Sequence, residues 1–259
     1  MSYIIAFIFG LAVGSFLNVC IYRLPRSLSI VNPPSHCPNC KKKIAWYDNI
    51  PLLSFCILKG RCRYCSAKIS PRYLIVELLT GLLFILLLMK FGLSWSFLIG
   101  ILFTCILIIA TFIDFEHYLI PDVLTYPGIV LGLTLSVLYP LFIGFPSVKE
   151  AFFNSLLGIF SGFFSLLVIG AIGFLLFKKV AMGGGDLKLL AMIGAFLGWK
   201  SVLLTICVSS VVGSVVGLTL IGLKVKKRKD YIPYGPYLSL AGIVVIFYGD
   251  TIAQLLFSL

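Results

Sequence analysis

Seven apolar runs, at residues 3–21, 73–89, 96–113, 126–143, 155–177, 201–223 and 237–257, dominate this 259-residue chain. Each is close to the roughly 20 residues an α-helix needs to cross the hydrocarbon core of a bilayer. Lipid offers no hydrogen-bond partner to a backbone amide, so such segments must close their bonds within themselves, as helices. With 60% hydrophobic residues against 12% charged, no single soluble core could hide the apolar surface, and an ordinary cytosolic enzyme is excluded. The expected fold is an all-α polytopic membrane protein. A shorter run at 187–197 makes about eight transmembrane helices if it crosses, but Gly183-Gly184-Gly185 breaks the chain just before it and suits a re-entrant segment equally. The first run has no basic residues ahead of it and no small-residue cleavage site after it, so it is read as a retained helix rather than a signal peptide.

The charge is lopsided, with 21 Lys and Arg against 9 Asp and Glu, a net +12. In a soluble chain this would suggest nucleic acid; in a membrane protein it reports which loops stay in the cytoplasm. If eight spans alternate, 18 of the 21 basic residues fall on one side, in 22–72, 178–188 and 224–229, and only Lys90, Lys149 and Lys200 on the other. That rich side is therefore expected to be cytoplasmic, with both termini outside, a lipid bilayer as partner and no nucleic acid. Three parts follow: a first transmembrane helix at 1–22, a cytoplasmic module at 23–72, and a membrane core of about seven further spans at 73–259.

Residues 23–72 form the one stretch long and polar enough to be a soluble module. Cys37-Pro-Asn-Cys40 and Cys62-Arg-Tyr-Cys65 are two C-x-x-C pairs 21 residues apart, and Lys43-Ile44 and Lys68-Ile69 follow them at equal offsets, a weak internal repeat. Four thiolates at this spacing suit one tetrahedral zinc, which a small module with few large apolar side chains needs as a staple. A reducing cytoplasm argues against the alternative, a pair of disulfides. Cys37, Cys40, Cys62 and Cys65 would leave no coordination position open, so the site reads as structural. Cys20, Cys56, Cys105 and Cys207 read as ordinary small apolar residues.

With only nine acids, each must be placed. Asp48, Glu150, Asp230 and Asp250 are explained by loop or helix-end solvation, and Glu77 by a structural pair near Arg72. Asp114 ends the third span, where an anion opposes the helix dipole; Asp122 follows Pro121 in the next turn; Asp186 follows the three glycines. The topology puts all three at one membrane face. Two aspartates meeting in a partly dry site share a proton, and such a pair can activate water and protonate a leaving amine. For Asp186 a helix N-cap is an equally good reading, and for Asp122 a turn or cap is the better one. Glu116 and His117 read as interfacial, and Pro233-Tyr234-Gly235-Pro236 as a turn.

These residues together resemble the bacterial type IV prepilin peptidases. The likeness runs through Gly14-Ser15-Phe16-Leu17-Asn18-Val19, the paired C-x-x-C motifs, Asn49-Ile50-Pro51, Ile113-Asp114, Ile120-Pro121-Asp122, Gly183-Gly184-Gly185-Asp186-Leu187-Lys188 and Pro233-Tyr234-Gly235-Pro236-Tyr237. The resemblance implies a membrane aspartic protease that removes the basic leader from prepilins or pseudopilins, with Asp114 and Asp186 catalytic and Asp122 supporting. It further implies N-methylation of the new amino terminus by S-adenosylmethionine, an activity tied in the family to the cysteine-bearing loop. Gly60 matches a glycine linked to methylation; Arg61 stands where Lys is common, and the two cations are not equivalent at a close-fitting site. An ion-coupled transporter, with carboxylates lining a pathway beside broken helices, is the alternative from another class.

Overall fold

In a computed structural model residues 1–178, 182–227 and 230–257 are described, and most of these are α-helical, with the segment 27–71 mainly turns and irregular structure. Of the basic residues counted above, Lys179, Arg228 and Lys229 lie outside them. Among the described residues the only β-structure is two isolated bridges, His36 with Lys43 and Arg61 with Lys68. Two compact units divide the chain, Met1–Ile109 and Ala110–Leu259.

The N-terminal unit contains α1 (Ser2–Arg23), the short α2 (Leu53–Ile57), α3 (Arg72–Phe91) and the first part of α4 (Trp95–His117). The α1 and α3 helices pack antiparallel, because Gly10 and Gly14 let the backbones meet. A Cβ on Gly10 would lie 2.8 Å from Gly81 Cα, and one on Gly14 2.8 Å from Glu77 Cα. Small residues four apart are how helices approach closely in lipid, where hydrophobicity gives no drive to associate.

The C-terminal unit continues α4 and adds α5 (Asp122–Leu138), α6 (Val148–Phe177), α7 (Gly184–Leu197), α8 (Trp199–Gly222) and α9 (Gly235–Phe257). Its innermost element is α7, with every residue from Leu189 to Phe196 buried. Its 14 residues rise only about 21 Å, short of the roughly 30 Å hydrocarbon core. The protein encloses it instead. Gly158 and Gly162 of α6 lie directly on the α7 backbone at Gly194 and Leu190, Ser155 donates to the Ala195 carbonyl at 2.7 Å, and Gly132 of α5 meets Ala195 and Phe196.

Among the described residues six helices are long and apolar enough to cross a membrane, and α5 and α7 are shorter. Large apolar side chains stay exposed along α6 (Phe160, Phe164, Val168, Ile172) and α8 (Val211, Val215, Leu218), as expected where lipid is the solvent. The helix expected at 126–143 ends at Leu138. Pro140 follows, and a proline cannot donate into a continuing helix, so residues Pro140–Ile143 form a 3-10 turn instead.

Candidate active site

The two cysteine pairs fold into matching knuckles. The Cys37 amide donates to Lys42 O and the Lys41 amide to Cys37 O, both at 2.9 Å; the Cys62 amide to Ala67 O and the Ser66 amide to Cys62 O repeat these bonds at 2.9 Å. Lys41 and Ser66 both adopt positive φ, 59° and 56°. The repeat seen in the sequence is thus a repeat of backbone geometry. All four Sγ atoms lie within 4.8 Å of one another, with Cys37–Cys65 at 3.8 Å and Cys40–Cys62 at 4.0 Å. Four sulfurs 2.3 Å from one zinc stand about 3.8 Å apart by tetrahedral geometry, whereas a disulfide needs about 2.05 Å. The cluster is therefore shaped for a metal such as zinc. Asp48, which solvation alone was expected to explain, ties into the second knuckle: Arg63 donates to both its oxygens, at 2.7 and 2.6 Å, and holds its carboxyl below the ordinary range.

Elsewhere in this unit Glu77, 7% exposed, accepts the Leu52 amide at 2.9 Å and a bond from Ser15. It thereby pins the turn into α2, where Leu52 is held at φ 61°. Gly60 sits at φ 64° against the Phe55 ring, and its carbonyl accepts the Ile69 amide at 2.7 Å. Arg61 lies on the rim of a shallow concavity with Lys59 and Arg63. A larger groove, of about 810 Å³, runs between one face of α1 and residues of the loop up to Pro51.

In the C-terminal unit the chain brings Asp114 and Asp186 together. Asp114 lies in the last turn of α4 and Asp186 in the first turn of α7; they are 5% and 4% exposed, and Asp114 acts electrostatically on Asp186. One backbone amide fixes each. The Gly183 amide donates to Asp186 Oδ2 at 3.2 Å, so Asp186 is the third residue of its helix reaching back over the N-cap, not the cap itself. The Gly235 amide donates to Asp114 Oδ2 at 3.1 Å, from 121 residues away.

Pro233-Tyr234-Gly235-Pro236 has the sequence of a plain turn. It is a turn, but one built against a carboxylate. A Cβ on Gly235 would lie 2.7 Å from Asp114 Oδ2 and 2.8 Å from Ile120 Cδ1, so only glycine brings this amide to the acid. The Tyr234 hydroxyl pairs with Ser209 of α8 at 2.7 Å and anchors the corner. Tyr231 is a second residue that periodicity did not mark. Its phenol is pushed above the ordinary value by burial and then by Asp186 and Asp114, and its ring meets Tyr118 edge-on at 5.6 Å. Asp122 is the first residue of α5, one past the N-cap Pro121, and Lys188 donates to it at 2.6 Å.

A chain with several helices long and apolar enough to cross a membrane, and with two buried, amide-anchored aspartates at helix ends in one unit, falls in the class of membrane proteins that carry a carboxylate pair. Comparison with known proteins narrows the class. Residues 8–91 match the sequence model of the bacterial peptidase A24 N-terminal domain, and residues 101–218 that of the type IV leader peptidase family. A prepilin leader peptidase/N-methyltransferase of Myxococcus xanthus is 42% identical over 215 residues, covering 83% of this chain and 62% of that protein. Proteins of the same description from Aeromonas hydrophila and Pseudomonas aeruginosa are 38% and 37% identical over 96% and 95% of this chain, and over 92% and 90% of their own lengths. No solved structure matches. The chain belongs to the type IV leader peptidase family.

Proposed function

We propose that this protein is an aspartic endopeptidase that cleaves the basic leader from type IV prepilins or pseudopilins at the cytoplasmic membrane face, and then N-methylates the new amino terminus. The meeting of Asp114 and Asp186 carries the peptidase reading. The pair shares one proton. The ionised aspartate takes a proton from water as its oxygen attacks the scissile carbonyl; the protonated one gives its proton to the leaving amine as the C–N bond breaks. The Gly235 and Gly183 amides engage Oδ2 of Asp114 and Asp186, which fixes each carboxylate's orientation. The reading as an ion-coupled carrier finds no support among the relatives, and leaves unexplained why both acids are tied to backbone amides at one end of the unit.

The methyltransferase half is supported by the relatives' names and by a unit, separate from the aspartates, with a metal-shaped cluster. Zinc would be held by Cys37, Cys40, Cys62 and Cys65 as a structural staple. S-adenosylmethionine would supply an electrophilic methyl group to the deprotonated amine. Its aromatic base and carboxylate need an open ring face and cations, and the groove of the N-terminal unit has Trp46, Arg23 and Lys43 in its lining.

Purified protein incubated with a prepilin tests the proposal. Cleavage by the wild type should vanish in both Asp114→Asn and Asp186→Asn, with zinc content and helicity unchanged. If either variant still cleaves, the two-aspartate assignment is wrong.

A further inference from the structure

We propose that the groove between α1 and residues 30–51 is the seat of S-adenosylmethionine, with its base against Trp46 and its amino-acid end toward Arg23 and Lys43. This rests on the methyltransferase half of the function proposed above. At about 810 Å³ the groove is within the range of small-molecule sites, roughly 300–1,000 Å³. Its walls are mainly apolar, from Ala12 and Phe16 of α1, with a few polar groups such as Asn49. That mixture buries a ligand's surface while fixing its orientation.

Three features select this ligand. Trp46 is 81% exposed, an indole in a groove lining with an open face on which a purine can stack and which attracts a sulfonium cation. The charged side chains of the lining, Arg23 and Lys43, are both basic, as recognition of a carboxylate requires. Finally, Arg23 is already in place: it is 7% exposed and donates to the Ser29 and Pro33 carbonyls at 2.7 and 2.6 Å, so binding would not have to order it.

The competing location is the concavity at Gly60 and Arg61. It is lined by Ile57, Leu58, Lys59, Arg61, Cys62, Arg63 and Ser66, with no aromatic ring to hold a base. The requirement for glycine at position 60 is met by its positive φ and the Phe55 ring, without a ligand. Gly60 shapes the module; the groove binds.

Equilibrium binding of radiolabelled S-adenosylmethionine to the full-length protein in nanodiscs decides the matter, together with ultraviolet crosslinking and peptide mapping. Trp46→Ala removes the ring and Ala12→Trp fills the groove from an exposed helix position. Each should weaken binding at least tenfold, keep prepilin cleavage within twofold and leave zinc content unchanged, and the wild-type crosslink should map to residues 43–51. If the wild type binds but both variants bind equally well, or the crosslink maps to residues 57–66, the groove assignment is overturned and the methyltransferase reading stands. If the wild type binds no cofactor while cleaving normally, both fall.

Discussion

At the scale of single residues, the acids divide by what holds them. Asp114 and Asp186 are buried and each is fixed by an amide, whereas the Asp122 side chain is 57% exposed and paired with Lys188. An exposed pair contributes little, on the order of 0–1 kcal/mol. Asp122→Asn is thus expected to keep cleavage within about tenfold, while either catalytic Asn variant loses it. Gly235→Ala should behave like a catalytic variant, although position 235 carries no functional group. Its methyl would displace the Asp114 carboxylate or pull the amide away from it, and losing one preorganised donor at a charged site costs about 10²–10³ in kcat. The same variant should bind uncleaved prepilin as tightly as the wild type. A fall in affinity instead of turnover would assign the corner to substrate binding. Asp114 was legible in the sequence because an acid at the end of an apolar run stands out against it, whereas Asp186, after three glycines, reads equally as a helix N-cap and is singled out only by the family resemblance. The Gly235 contact was not legible, since hydropathy carries no information about pairing across 121 positions, and a Pro-Gly corner has an adequate local explanation.

Among the elements, α7 shows most clearly what a run of letters conceals. Residues 187–197 read equally as a short span or a re-entrant segment, because hydropathy does not distinguish a lipid-facing helix from one enclosed by protein. The discriminating signal lies on a different helix. Gly158 and Gly162 of α6, four apart, remove the side chains that would hold α6 away from α7, and Gly194 does the same from the other side. Enclosure gives α7 a fixed position, and a fixed α7 sets Asp186. Gly158→Leu should therefore cost at least the roughly 1–3 kcal/mol of an overpacked core, since the obstruction is backbone and cannot rotate away. The expected outcome is a lower melting temperature in detergent and loss of cleavage, with no change in metal content. A stable, active Gly158→Leu protein would mean that α6 and α7 do not approach this closely. By contrast, the knuckles were fully legible: two C-x-x-C pairs with matching residues after each impose the same turn twice, and the turn is local.

On the scale of the whole molecule, the charge asymmetry makes a prediction that the fold alone does not. The helices can be threaded through a bilayer in either sense, and only the distribution of Lys and Arg chooses between them. If the charge asymmetry sets the orientation, the cysteine knuckles, the α4–α5 turn at 118–121 and the α6–α7 and α8–α9 connections would be cytoplasmic, and the proposed aspartate pair would lie on the side where the proposed substrate carries its basic leader. The α3–α4, α5–α6 and α7–α8 turns then face outward, and Lys90, Lys149 and Lys200 stand near them. Single cysteines placed in an otherwise cysteine-reduced chain check this directly, provided the four knuckle cysteines are retained and their metal is kept bound during labelling. A cysteine at Ser147 should react with a membrane-impermeant maleimide applied to intact cells, and one at Val225 only after the cells are opened. The α7–α8 turn is the demanding case. Because α7 is too short to cross by itself, Lys200→Cys should label more slowly than Ser147→Cys if Gly198 turns the chain back below the outer surface, and as fast if the bilayer thins around the enclosed helix. Labelling of Ser147→Cys only from the cytoplasm would invert the topology and remove Asp114 and Asp186 from the leader-bearing side, and the peptidase proposal would not survive that result.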